Sequence, residues 1–214
     1  MNEKAAKPRR GRPPKVAREN QDTRAELIRA GLEQLTESGF AASGIEQILK
    51  RVGVPKGSFY HYFSSKEAFG LAVLESYAAY FLKKLNRHLA QSNEAPLSRL
   101  SNFVEDAKSG MQKHSFKRGC LVGNLGQEVD LLPISFRKEL VAIFETWQCE
   151  VAVCLEEAKK QGQIAQNADS AQLAEYFWIG WEGAVSRARL EASVKPLDNY
   201  FKCFVMGISL SSHK

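Results

Sequence analysis

No stretch of this sequence stays apolar for the roughly 18 residues that a membrane-crossing helix needs, so no membrane-spanning segment is expected. The basic N-terminus is not followed by an apolar core, which does not fit a secretory leader and points to an intracellular, cytoplasmic protein. Cysteine is scarce: Cys120, Cys149, Cys154 and Cys203 form no Cys-x-x-Cys pair. Zinc-ligand spacing is therefore absent, and a disulfide framework has no place in a reducing compartment. The plain reading of each cysteine is a small, partly buried hydrophobe. No convincing strand and no internal repeat can be read, and neither a metal site nor a cofactor is expected. What remains is 214 residues, 44% of them hydrophobic, enough for one large or two small domains with a real core.

The positive charge is unevenly placed. Residues 1–20 hold Lys4, Lys7, Arg9, Arg10, Arg12, Lys15 and Arg18 against Glu3 and Glu19, five of the six net charges of the whole chain. The basicity thus belongs to a tail and not to the folded body, which points to a polyanion partner. Residues 1–19 carry too few apolar groups to offset their ordering entropy and are expected to be a disordered arm. Within it, Arg10-Gly11-Arg12-Pro13 resembles an AT-hook core. Proline keeps such a strand extended, and glycine lets the backbone sit on a groove floor. Arg10 and Arg12 then meet the strong negative potential of an A·T-rich minor groove. A merely phosphate-binding basic tail is the alternative.

From Asp22 the pattern is helical. Thr23 to Glu26, Ser43 to Glu46 and Ser64 to Glu67 each read as a capping box. The first helix places Leu27, Ile28, Leu32 and Leu35 on one face and ends at Gly39. A short second helix, with Ile45, Ile48, Leu49 and Val52 inward, is broken by Gly53-Val54-Pro55. A third, Lys56 to Phe63, follows at once. Two short helices about such a turn are helix-turn-helix geometry, at residues 20–67. Phe59, Phe63 and Tyr62 face inward, leaving Ser58, Tyr60 and His61 toward the major groove, with Gly57 allowing close approach to a phosphate. A helical hairpin with ordinary core tyrosines is the alternative.

The stretch from Val52 to Phe69 resembles the DNA-binding signature of TetR-family repressors, and about 50 residues match in order and spacing. The resemblance implies that Ser58, Tyr60 and His61 read bases or adjacent phosphates. It implies that Ser43, Tyr62 and Lys66 mainly clamp the phosphate backbone of double-stranded DNA, and Lys56 is a further expected phosphate contact. The sequence departs from that pattern at Pro55, where many members place a serine or threonine cap.

Residues 68–214 read as five or six further helices, a ligand-binding and dimerisation domain that makes the whole protein all-α. The last two long helices carry more apolar surface than a peripheral pair needs, and a pseudo-palindromic operator calls for a dimer. A homodimer through these two helices is expected, as the resemblance also implies.

The segment Arg118 to Glu128 combines three glycines with Asn124 and Gln127. Glycine costs about 1 kcal/mol each in a helix, so this is a candidate moving element. Trp147, Phe177, Trp178 and Trp181 offer aromatic walls for a small-molecule effector, or else are plain core. Arg118 and a helix N-terminus beside Cys120 would both lower its thiol pKa. His114 lies six residues before Cys120 across a glycine break with no orienting carboxylate, so no catalytic site is expected. Arg118 to Glu128 and Phe177 to Ala184 are similar to the acrylate-responsive branch of the family. More loosely they resemble the electrophile-sensing branch that regulates N-ethylmaleimide reductase, with its sensor cysteine in a Gly-Cys-Leu stretch, here Gly119-Cys120-Leu121. Two mechanisms follow: noncovalent binding of a small acid by groups such as Arg118 or Asn124, or modification of Cys120. An effector-independent architectural binder of A·T-rich DNA is the remaining reading.

Overall fold

The computed structural model describes residues 20–210, and the side chains from Thr23 onward. Nine helices are present among the described residues: α1 (Asn20–Ser38), α2 (Ile45–Val52), α3 (Lys56–Tyr62), α4 (Lys66–Leu89), α5 (Pro96–Lys113), α6 (Leu121–Gln127), α7 (Ile134–Lys160), α8 (Ser170–Glu191) and α9 (Lys195–Ile208). The fold is all-α, as the periodicity predicts. Of β-structure the described residues hold a lone bridge between Ile164 and Ser209.

Proline punctuates the chain where it should. Pro96 and Pro196 sit in the first turns of α5 and α9, where a missing N–H costs nothing. Pro55 and Pro133 stand just before α3 and α7. Three of the helix starts carry a side-chain cap, one of them the Cys120 thiol at α6. Ser65 Oγ accepts from the Ala68 amide (3.0 Å) at α4, and the Asp169 carboxylate accepts from the Ala171 and Gln172 amides (3.0 Å each) at α8.

The three capping boxes read from sequence are displaced. Helix α1 already begins at Asn20, so Thr23 lies inside it and is buried. Gly44, not Ser43, precedes α2, without a side-chain cap. Ser65, not Ser64, caps α4. Tertiary packing extends or shifts each helix end by a residue or more, which a local pattern does not encode.

Helices α1 to α3 enclose Leu27, Leu35, Ile48, Leu49, Phe59 and Phe63. Gly53 ends α2 in the left-handed conformation (φ 69°), open to glycine at little cost. Val54 and Pro55 then redirect the chain into α3. Phe69 of α4 meets Phe59 and Phe63 edge-on at 5.3 and 5.0 Å, so α4 roofs this unit as well as entering the body.

In the body, α7 packs along α8, α8 along α9, and α4 against α5 and α7. Its centre is aromatic. Phe81 lies 4.3 Å from Trp147, Trp147 5.1 Å from Trp178, and Phe103 6.0 Å from Trp178. Trp147 and Trp178 are fully buried, and truncating either to alanine removes about 3–5 kcal/mol.

Candidate functional site

On the DNA side, burial of Phe59 and Phe63 at i and i+4 fixes the rotation of α3. Tyr60 and His61 are left exposed and Ser58 half-exposed, on the face the sequence assigns to base reading. Gly57 has open space where a Cβ would stand. Lys56 is exposed and pairs with Glu46 at 3.0 Å, an exposed contact that raises its pKa chiefly through the Glu46 hydrogen bond. Tyr62 is half-buried, its ring edge-on to His61 at 5.2 Å.

Two expected phosphate contacts are engaged inside the protein instead. Ser43 is buried, and its hydroxyl donates to the Gly39 carbonyl. Lys66 Nζ donates to the Phe40 carbonyl at 2.8 Å and stands 4.5 Å above the Phe40 ring. Burial lowers the Lys66 pKa, partly offset by the nearby Glu128 carboxylate. Both side chains therefore shape the α1–α2 loop. Arg10 and Arg12 lie outside the described residues.

The expected pocket residues divide. A cavity of about 210 Å³ opens between α1, α4, α5, α8 and the start of α6. Arg118, Cys120 and Trp181 line it. Trp147, Phe177 and Trp178 do not: the first and last form the aromatic core, and Phe177 stacks on Trp181 (5.9 Å) and meets Phe204 of α9 (5.2 Å). Gln127 is exposed at the end of α6. Asn124 faces α1, its Nδ2 donating to the Thr36 carbonyl at 3.0 Å.

The walls that sequence reading missed are Tyr77, Phe81 and Lys84 from α4, Met111 from α5 and Glu182 from α8. One signal was available. Trp178, Glu182, Val185 and Arg189 recur at helical spacing, so a carboxylate stands within an otherwise apolar stripe.

Cys120 differs from its expected chemistry. It caps α6, with Sγ accepting from the Gly123 amide at 3.4 Å, but it is buried. Burial first, and then the Glu182 carboxyl, push its pKa well up. Arg118 does not help, because its guanidinium turns to Glu37 (2.9 Å) and Glu33 (3.6 Å) of α1. The dominant effect is desolvation, not the helix end.

The cavity is physically joined to the DNA-reading unit. Beyond Arg118, Arg189 of α8 donates to Asn124 Oδ1 (2.9 Å) and to the Lys117 and Glu37 carbonyls (3.3 and 3.5 Å). These cations gather at the carboxyl end of α1, where the helix dipole favours them. At the far end of α6, the Glu128 carboxylate accepts from the Phe40 and Ala41 amides at 3.0 and 2.9 Å. Gly39 makes room for it, because a Cβ there would overlap the Glu128 carboxylate, and its φ of 79° also favours glycine. Asn124 in the middle of α6 is therefore bonded to α1, and Glu128 at its end to the loop that leads into α2.

A helix-turn-helix roofed by α4 and tied to an all-helical body with a small cavity defines a DNA-binding regulator. Comparison with known families agrees. Residues 27–73 match the model for bacterial regulatory proteins of the tetR family, and residues 96–204 match a tetracyclin repressor-like C-terminal domain. The chain is 49% identical to the transcriptional regulator AcuR of Cereibacter sphaeroides over 92% of its own length and 90% of that protein's. It is 30% identical to the repressor NemR of Escherichia coli, over 83% of this chain and 89% of NemR. The solved structure of a TetR regulatory protein from Rhodobacter sphaeroides superposes with a TM-score of 0.85 at 48% identity, covering 87% of this chain and 98% of that one. This chain belongs to the TetR family of transcriptional regulators and is not an enzyme. No helix among the described residues is long and apolar enough to cross a membrane.

Proposed function

We propose that this protein is a homodimeric repressor, acting in the cytoplasm, that leaves its operator when acrylate or a related small acid fills the cavity beside Cys120. The observation that carries this reading is the cavity's position. Its wall includes Cys120 at the head of α6 and Arg118, whose guanidinium ties the segment before α6 to α1. A ligand that reshapes the wall bears directly on the seat of the reading helix.

In this reading Ser58, Tyr60 and His61 read the major groove, while Lys56, Gly57 and Tyr62 meet phosphates. Arg10 and Arg12 enter a flanking A·T-rich minor groove. Dimerisation uses α8 and α9, which leave Tyr176, Ile179, Leu190 and Met206 more than half exposed, an apolar surface of the kind two copies cover. The buried, high-pKa state of Cys120 favours noncovalent binding over attack by its thiolate. The similarity to the acrylate-responsive branch supports the choice of acid.

Fluorescence anisotropy on DNA from upstream of the protein's own gene tests the proposal. Acrylate is expected to release the DNA reversibly. DNA that stays bound at saturating acrylate contradicts the choice of effector.

A further inference from the structure

The cavity contains a carboxyl group that neither the DNA contacts nor the ties to α1 use. Glu182 stands on the inward face of α8, one residue past Trp181 and four past Trp178. Its Oε1 is enclosed and has no hydrogen-bond partner. Its other oxygen rests against Gly123, where a Cβ would overlap it, so this glycine of α6 supplies the space the carboxyl fills. The Cys120 thiol and the Tyr77 hydroxyl complete the surround. Burial pushes the Glu182 pKa up to about 7.

The other charged and titratable groups facing the cavity are committed or peripheral. Lys84 of α4 is held by Asp106 at 3.3 Å, and Arg118 by Glu33 and Glu37. His114 at the end of α5 is exposed, and Tyr80 lies at the rim. A small carboxylate entering here meets a carboxyl before it meets a free cation. Two carboxyls in one dry cavity cannot both stay ionised; they associate by sharing a proton.

We infer that Glu182 is the recognition residue for the effector, binding a small carboxylic acid as a hydrogen-bonded carboxyl pair that holds one shared proton. This rests on the small-acid reading above. The Glu182 hydroxyl donates to an oxygen of the effector's carboxylate; no covalent bond is made or broken. Where Glu182 is ionised in the free protein, the proton comes from solvent on binding. The linkage sign follows. Below about pH 7 Glu182 already carries the proton and affinity is flat. Above it, binding takes up one proton, and affinity falls about tenfold per pH unit.

The test uses the full chain, the same DNA and sodium acrylate between about pH 6 and 9, with DNA affinity measured at each pH without effector. The concentration for half-release should be flat at low pH and rise about tenfold per unit above pH 7. Glu182→Gln keeps a donor without a titration, so its response should be flat throughout. Calorimetry of the unaltered protein in two buffers of different ionisation heat should show one proton taken up per acrylate at about pH 8.5. A pH-independent response, a slope retained in Glu182→Gln, or a slope lost in His114→Gln each overturns the carboxyl pair while leaving the acid effector standing. No release by acrylate at any pH overturns both.

Discussion

Replacing Glu128 should separate effector binding from DNA release. Its carboxylate receives two backbone N–H bonds, from Phe40 and Ala41, at 3.0 and 2.9 Å. A hydrogen bond to a charged group contributes about 1.5–3 kcal/mol, and this carboxylate is half-exposed, so the lower end applies to each. Glu128→Ala then removes about 3 kcal/mol of connection between the end of α6 and the α1–α2 loop. Glu128→Gln retains an acceptor oxygen without the charge and should lose about half of that. Coupling between an effector and a second ligand typically spans about 1–3 kcal/mol, a 5–150-fold change in affinity, so a loss of 3 kcal/mol is enough to abolish it. The assay is anisotropy with and without acrylate, beside calorimetric acrylate binding. Glu128→Ala should bind acrylate and DNA yet release DNA by no more than a few-fold, with Glu128→Gln intermediate. Full release from the alanine variant, with acrylate affinity unchanged, would refute the idea that this bond transmits the signal.

Further outcomes follow from the same contacts. Lys56→Ala should weaken binding to all DNA sequences and reduce the slope of log affinity against log salt by about 0.9, whereas His61→Ala should change base preference; a binding-site selection experiment beside a salt titration distinguishes them. Under native conditions iodoacetamide should alkylate the exposed Cys149 well before Cys120, which is buried with a raised pKa; mass spectrometry showing Cys120 modified first would count against noncovalent sensing. Gly39→Ala, at a φ of 79° and against the Glu128 carboxylate, should lower stability by at least about 1–2 kcal/mol and blunt acrylate release as Glu128→Ala does, read by urea denaturation and anisotropy.

The fold was open to reading because its boundaries are marked locally. Pro96, Pro133, Asp169 and Pro196 each precede or open a helix, and the 3.6-residue apolar pattern runs between them. The inward turn of Phe59 and Phe63, and with it the outward turn of Tyr60 and His61, came from the same period. The cavity was harder, because helical spacing places a tryptophan in the interior without saying whether space adjoins it. Trp181 borders the cavity beside Cys120, Trp147 borders a separate one between α4 and α7, and Trp178 only packs. Direction across elements was not legible either. Arg118 turns away from its neighbour Cys120 to reach Glu37, 81 positions earlier, and Glu128 reaches back to Phe40. Such long-range partners depend on how α6 lies against α1, which no local pattern specifies.

In the proposed dimer, a ligand that releases DNA by filling the cavity should change the spacing of the two reading heads. Pulsed electron paramagnetic resonance measures this directly, with a spin label at Gln47→Cys on the exposed face of α2 and with Cys149 and Cys203 replaced by serine. With operator DNA the heads must match half-sites about 34–36 Å apart. Acrylate should move the label-to-label distance distribution away from its DNA-bound value, and Glu128→Ala should suppress that move. An unchanged distribution at acrylate concentrations that release the DNA would contradict the account.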